Sequence, residues 1–176
     1  MADFSPQMVS KIECVAVDLY KLYSTTKPYA IYPDAKQFLT DIESKRECSN
    51  LKVGVISNYD KRIVGIVEEL QLSTYVDFIT YSEESQSSKP QKQIFENGIK
   101  KSGLTNLKGE EILHIGDDFK KDYLGAKNLG WNALLIQRDP EAKNELLNND
   151  SSKTIIDAQD ICDNFSDVER RIFNLP

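Results

Sequence analysis

The sequence predicts an α/β fold, one domain built on a mainly parallel sheet with helices packed on both of its faces. Three observations lead there. Five short apolar runs bounded by turn residues read as strands buried on both sides, the pattern parallel strands require. Amphipathic helical stripes lie between successive runs, so each strand-to-strand connection is long enough to be a crossover. And 176 residues with 40% apolar and 28% charged composition suit one ordinary globular core rather than two.

Taken in order, Ser5-Pro6 is a helix start, with serine as the cap and proline at the first helical position. Val9, Ile12, Val15, Ala16, Leu19, Leu22 and Tyr23 then recur at helical spacing, predicting a helix over about Pro6 to Tyr23. A second helix follows Pro33, with Ala35, Phe38, Leu39 and Ile42 on one stripe. The strands are expected at Lys52 to Ser57, Asp77 to Thr80, Ile112 to Ile115, Ala133 to Ile136 and Thr154 to Ile156. Between the first two runs a helix carries Ile63, Val64, Val67 and Leu70. Between the next two, a helix carries Ile94, Phe95 and Ile99 and stops near Gly103. Another starts around Asp122, runs over Tyr123, Leu124 and Ala126 and stops at Gly130. Asp139 to Lys153 reads as a polar surface excursion around a short helical piece. The last helix is expected to be capped by Asp157, with Ile161, Phe165, Val168 and Ile172 as its stripe.

The composition excludes several functions. A net charge of -6 disfavours a nucleic-acid surface, which rewards clustered lysine and arginine. No apolar run approaches bilayer length. Cys14, Cys48 and Cys162 are widely spaced and odd in number, which reads as reduced thiols of an intracellular, cytoplasmic protein. The lone histidine, His114, sits inside a strand and is expected to be packed and hydrogen-bonded.

Three groups point to chemistry at the carboxyl ends of the strands, where open α/β sheets place their ligands. The strand VGVIS ends in Ser57 and Asn58, a hydroxyl and an amide. Lys89 stands in a loop before Pro90, which helps start a helix. Gly116 delivers Asp117 and Asp118, with Asp122 on the next turn. Asp118 and Asp122 also suit a helix start as caps. A hydroxyl, an ammonium and paired acids at one mouth match phosphoryl transfer, which is mostly positioning and charge neutralisation. Magnesium in such sites is held by one or two carboxylates together with phosphate oxygens.

In this order, ISNYD, KPQKQIF and GDDFKKD resemble motifs II, III and IV of the haloacid dehalogenase superfamily of hydrolases, and the similarity runs from about Leu19 to Ile156. The resemblance implies a Rossmann-like three-layer αβα core and a Mg²⁺-dependent phosphatase or related hydrolase acting on a small phosphorylated metabolite. It makes Ser57 and Asn58 phosphate ligands, Lys89 the residue that orients nucleophile and phosphate, Asp117 a Mg²⁺ ligand, and Asp122 a support for the metal's water shell. Asp118 is a further metal candidate.

One part of the family pattern is not matched. Motif I is a strand ending in Asp-x-Asp whose first aspartate is the nucleophile. The single candidate, Asp18 in VAVDLYKLY, has Tyr20 two residues on and lies within the predicted amino-terminal helix. Residues 1–30 are therefore expected to be a remnant of the family's helical cap and 31–176 an incomplete core. The expected function is a family member impaired by loss of its nucleophile. A non-catalytic module binding a phosphorylated ligand or a protein, and a weak phosphatase using Asp18, are the alternatives. The missing strand belongs between those ending at Ser57 and Ile115. Its loss leaves two facing edges whose unpaired groups cost about 1–3 kcal/mol each, against a usual total of about 5–15 kcal/mol. A marginal fold is expected.

Overall fold

A computed structural model describes residues 5–46, 49–148 and 156–173. Helix α1 (Pro6–Leu22) begins where Ser5 accepts the Met8 N–H. Helix α2 (Pro33–Arg46) leads to strand β1 (Gly54–Ser57), and α3 (Arg62–Glu69) to β2 (Phe78–Tyr81). The short α4 (Ser82–Ser85) precedes α5 (Lys92–Ser102), which ends at Gly103 with φ +73°. Strand β3 (Leu113–Gly116) is followed by a π-helical turn, Phe119–Leu124, that continues into α6 (Gly125–Lys127). Strand β4 (Asn132–Ile136), α7 (Pro140–Asn148), β5 (Ile161–Cys162) and α8 (Phe165–Phe173) complete the chain.

The five strands pair in parallel, as expected, but as two sheets. β1 pairs with β2, Val55 opposite Ile79. β3, β4 and β5 form the other sheet, with Ile115 opposite Leu134 and Leu135 opposite Ile161. Strand alternation builds the layers. Ala133 and Leu135 of β4 face a cluster with Ile94, Phe95, Tyr123 and Ala126, from α5 and the Phe119–Lys127 segment. Leu134 and Ile136 face the opposite cluster, formed with Phe38 and Ile42 of α2, Cys162 and Val168. Both helix layers also hold the smaller sheet: Ile56 packs on the first cluster and Val53 on the second. The two sheets therefore lie in one middle layer of a three-layer αβα core.

The last strand differs from expectation. Thr154 and Ile155 lie outside the described residues, and Ile156 is a buried bend residue. The strand paired with β4 is Ile161–Cys162, from the stripe assigned to the final helix. Asp157 does cap, accepting the Gln159 N–H, but it caps a short 3₁₀ turn over Ala158–Asp160. A two-residue strand is too short for alternation to separate from a helical stripe. Cys14 and Cys162 are free thiols, and Cys48 lies outside the described residues. Among the described residues no helix is long and apolar enough to cross a membrane.

Candidate functional site

The site grows from the carboxyl ends of β1 and β3. At the end of β1, both halves of the Asn58 amide are taken by the backbone of Lys89. Its Oδ1 accepts the Lys89 N–H at 2.6 Å and its Nδ2 donates to the Lys89 carbonyl at 2.9 Å. This pair fixes the loop ahead of α5 against β1, across the cis Lys89–Pro90 peptide. From there the Lys89 ammonium reaches Asp122, 2.6 Å from Oδ1. The same oxygen is 3.0 Å from Nε2 of His114, and Oδ2 accepts the Asp118 N–H at 3.1 Å. One carboxylate thus ties the Lys89 loop to the end of β3.

Burial raises the pKa of Asp122. The bonds from His114 and Lys89, the Lys89 charge and the Asp118 N–H outweigh that, and hold it well below the usual carboxylate range. Gly116 makes this approach possible: a Cβ there would stand 2.2 Å from the Asp122 carboxyl carbon. His114 is packed and hydrogen-bonded, as expected, its ring edge-on to Phe95 at 5.2 Å between centroids.

The three acids of the turn have separate surroundings. Asp118 is the cap of the turn, accepting from the N–H groups of Lys120 and Lys121 and from the Lys121 ammonium at 2.6 Å. Its burial raises the pKa, but those Lys121 interactions leave it lowered. Asp117 is exposed and accepts no hydrogen bond among the described residues. The Ser57 hydroxyl likewise makes none among them. Ser57, Asn58, Lys89, Asp117, Asp118 and Asp122 are all brought to this end of the strands. Asp18 makes no hydrogen bond or ion pair with any of them among the described residues: it is exposed on α1, a helix with no buried residue.

Sequence reasoning missed two connections. The Asn58 clamp on Lys89 is long-range and leaves no local pattern. The His114 contact was legible in principle. Residues 114 and 116 share a face of β3, so a carboxylate leaning over Gly116 also meets the ring of His114.

The model of the haloacid dehalogenase-like hydrolase family matches residues 7–130. The chain belongs to this family. Rhythmically expressed gene 2 protein of Drosophila melanogaster is 40% identical over 118 residues, covering 67% of this chain and 45% of that protein. Haloacid dehalogenase-like hydrolase domain-containing protein 3 of Danio rerio is 29% identical over 143 residues, covering 80% and 54%. The chain spans about half the length of these curated relatives. Among solved structures, a HAD phosphatase from Thermococcus onnurineus superposes with a TM-score of 0.63 at 22% identity, over 81% of this chain and 57% of that one. The HAD-hydrolase YfnB of Bacillus subtilis, solved bound to magnesium, gives 0.62 at 16%, over 81% and 55%. These likenesses show the HAD-like α/β fold.

Proposed function

We propose that this HAD-like hydrolase chain carries the phosphate- and metal-binding half of a phosphoryl-transfer site and, by itself, does not turn substrate over. The observation that carries the reading is the Asn58–Lys89–Asp122 link, which holds a mostly buried ammonium between a strand ending in the unengaged Ser57 hydroxyl and one followed directly by the Asp117 carboxylate, which accepts no hydrogen bond among the described residues. Ser57 and neighbouring backbone N–H groups would donate to phosphoryl oxygens of a small phosphorylated metabolite. Lys89 would offset their charge.

The donors fit Mg²⁺ as a one-carboxylate site. Asp117 is a hard oxygen ligand left open to solvent, and a bound phosphate with water would supply the remaining oxygens. When bound, the ion would neutralise charge on the phosphoryl oxygens. Asp118 and Asp122 are already engaged by protein donors, so Asp122 serves here as the anchor of Lys89. On this reading residues 1–30 are the remnant of a helical cap and 31–176 the core. An exposed unpaired Cys14 fits a reducing, intracellular compartment.

Covalent phosphoryl transfer needs an aspartate at a strand end facing Lys89, and Asp18, the candidate for that part, projects from an exposed helix. Incubating the chain with Mg²⁺ and p-nitrophenyl phosphate should give no turnover, and Asp18→Asn should change nothing. Mg²⁺ together with inorganic phosphate should bind weakly, and Asp117→Asn should abolish that. Turnover abolished by Asp18→Asn would overturn the reading of an inactive chain. No binding of Mg²⁺ or phosphate would remove the basis for the half-site.

A further inference from the structure

Residues 20–29 are tied to both ends of helix α3. At its first residue, the Arg62 guanidinium sits 4.5 Å from the Tyr20 ring centroid and donates to the Tyr20 carbonyl at 3.5 Å. At its last residue, Oε2 of Glu69 accepts the Thr26 N–H at 3.2 Å. Tyr59 makes a third tie. Its hydroxyl is 2.6 Å from that of Tyr29 and donates to the Tyr23 carbonyl at 3.3 Å. A carbonyl only accepts, so the one proton of Tyr59 goes to Tyr23, and the shorter bond takes its proton from Tyr29. The three groups form a directed relay from Tyr29 through Tyr59 to Tyr23. Burial and the bond to Tyr59 push the pKa of the Tyr29 hydroxyl up to about 12, which keeps it a donor.

Tyr59 stands where a displacement of this segment reaches the site. Strand β1 ends at Ser57, so Asn58 and Tyr59 lie beyond it. The Tyr59 carbonyl accepts from the Ser82 N–H at 3.1 Å and the Ser82 hydroxyl at 2.7 Å, and its ring is 5.2 Å from the Arg62 guanidinium. Directly before it, Asn58 grips both the N–H and the carbonyl of Lys89. Two directional bonds from one planar amide leave Asn58 little freedom. A turn of the Asn58–Tyr59 backbone therefore carries the Lys89 loop with it. The ties on residues 20–29 are few, polar and near solvent, so that segment can release by itself.

We infer that residues 20–29 are a strap whose hydroxyl relay through Tyr59 sets the position of the Lys89 loop. Tyr59 is its positioning residue. Such coupling is reciprocal, so a ligand held at Lys89 tightens the strap. The tightening rests on the phosphate-site reading, whereas the coupling does not.

Amide hydrogen exchange of the full chain, followed residue by residue, tests it. Tyr29→Phe should speed exchange at Thr26 and at Lys89 about five- to tenfold, the effect of one lost hydrogen bond, with β4 unchanged. Tyr59→Phe should do at least as much. Adding Tyr29→Phe to it should do no more, since both remove the same bond. Glu69→Ala, which leaves the tyrosines in place, should loosen Thr26 and Lys89 together. Loosening at Thr26 with Lys89 unchanged would overturn the proposal, and so would exchange that ignores all three substitutions. Mg²⁺ with inorganic phosphate should slow exchange at Thr26 in the wild type but not in Tyr59→Phe. Binding of these ions without a response at Thr26 also overturns the strap. If they do not bind, the site reading falls and the substitutions alone decide the strap.

Discussion

Asn58 and Asp122 act on different parts of the same residue. The amide of Asn58 holds the backbone of Lys89, and the carboxylate of Asp122 holds its ammonium. The Lys89 and Asp122 side chains are 13% and 5% exposed, so the pair is little screened by solvent. Removing one member leaves the other short of its counter-charge in a place that water reaches poorly. Asp122→Asn should therefore destabilise the chain by about 3 kcal/mol, read as a lowered urea midpoint with an unchanged slope. His114→Phe should keep the edge contact with Phe95 while losing the bond to Asp122, at a cost of about 1–2 kcal/mol. If His114→Phe costs as much as Asp122→Asn, the histidine rather than the lysine is the main partner of the carboxylate.

At the scale of elements, the sheet's parallel order and helix layers were legible because long stripes and apolar runs dominate them. The alternation of Ala133 to Ile136 is an example, since each residue went to the face its position dictates. Ile161–Cys162 was illegible because a strand that short is defined by its pairing with β4 and not by its own pattern. Of the site, residue types and placement at the strand ends were readable. The partition of the three acids was not, because it depends on where the Lys89 loop and Lys121 come to rest. The pairing of β1 with β2 shows a further long-range element. Asp77, just before β2, accepts the Val53 N–H at 2.8 Å and pairs with Lys52 at 3.0 Å and with Arg46 of α2. Burial raises its pKa, yet the Val53 N–H and these cations hold it below the usual value. The unfolded chain then binds the proton more readily, so the carboxylate's stabilisation is complete above about pH 4 and is lost as pH falls through the lower folded value. Asp77→Asn should cost about 1–2 kcal/mol at pH 7. The gap between wild type and variant in urea melts should close as pH drops below about 4.

Across the whole molecule, the middle layer is divided. β4 has a strand on each side and buries four of its five residues, whereas β1 and β3 are mostly half-buried, with Gly54 and Leu113 exposed. Among the described residues no backbone hydrogen bond joins β1 to β3. In a parallel strand, alternate residues direct their N–H and C=O groups to opposite neighbours, so half of these groups in β1 and β3 face an edge without a strand. What keeps the two sheets together is the helix layer on each face and the Asn58–Lys89–Asp122 link at one end. That arrangement predicts graded stability. Hydrogen exchange should be slowest in β4 and in the N–H groups that β1 and β2 or β3 and β4 share. It should be fast for the β1 and β3 groups directed at the unpaired edges. It also predicts a low melting temperature, and association through those edges as the chain warms. A single cooperative transition at high temperature, with uniform protection across β1, β3 and β4, would show that the two edges pair with each other in solution.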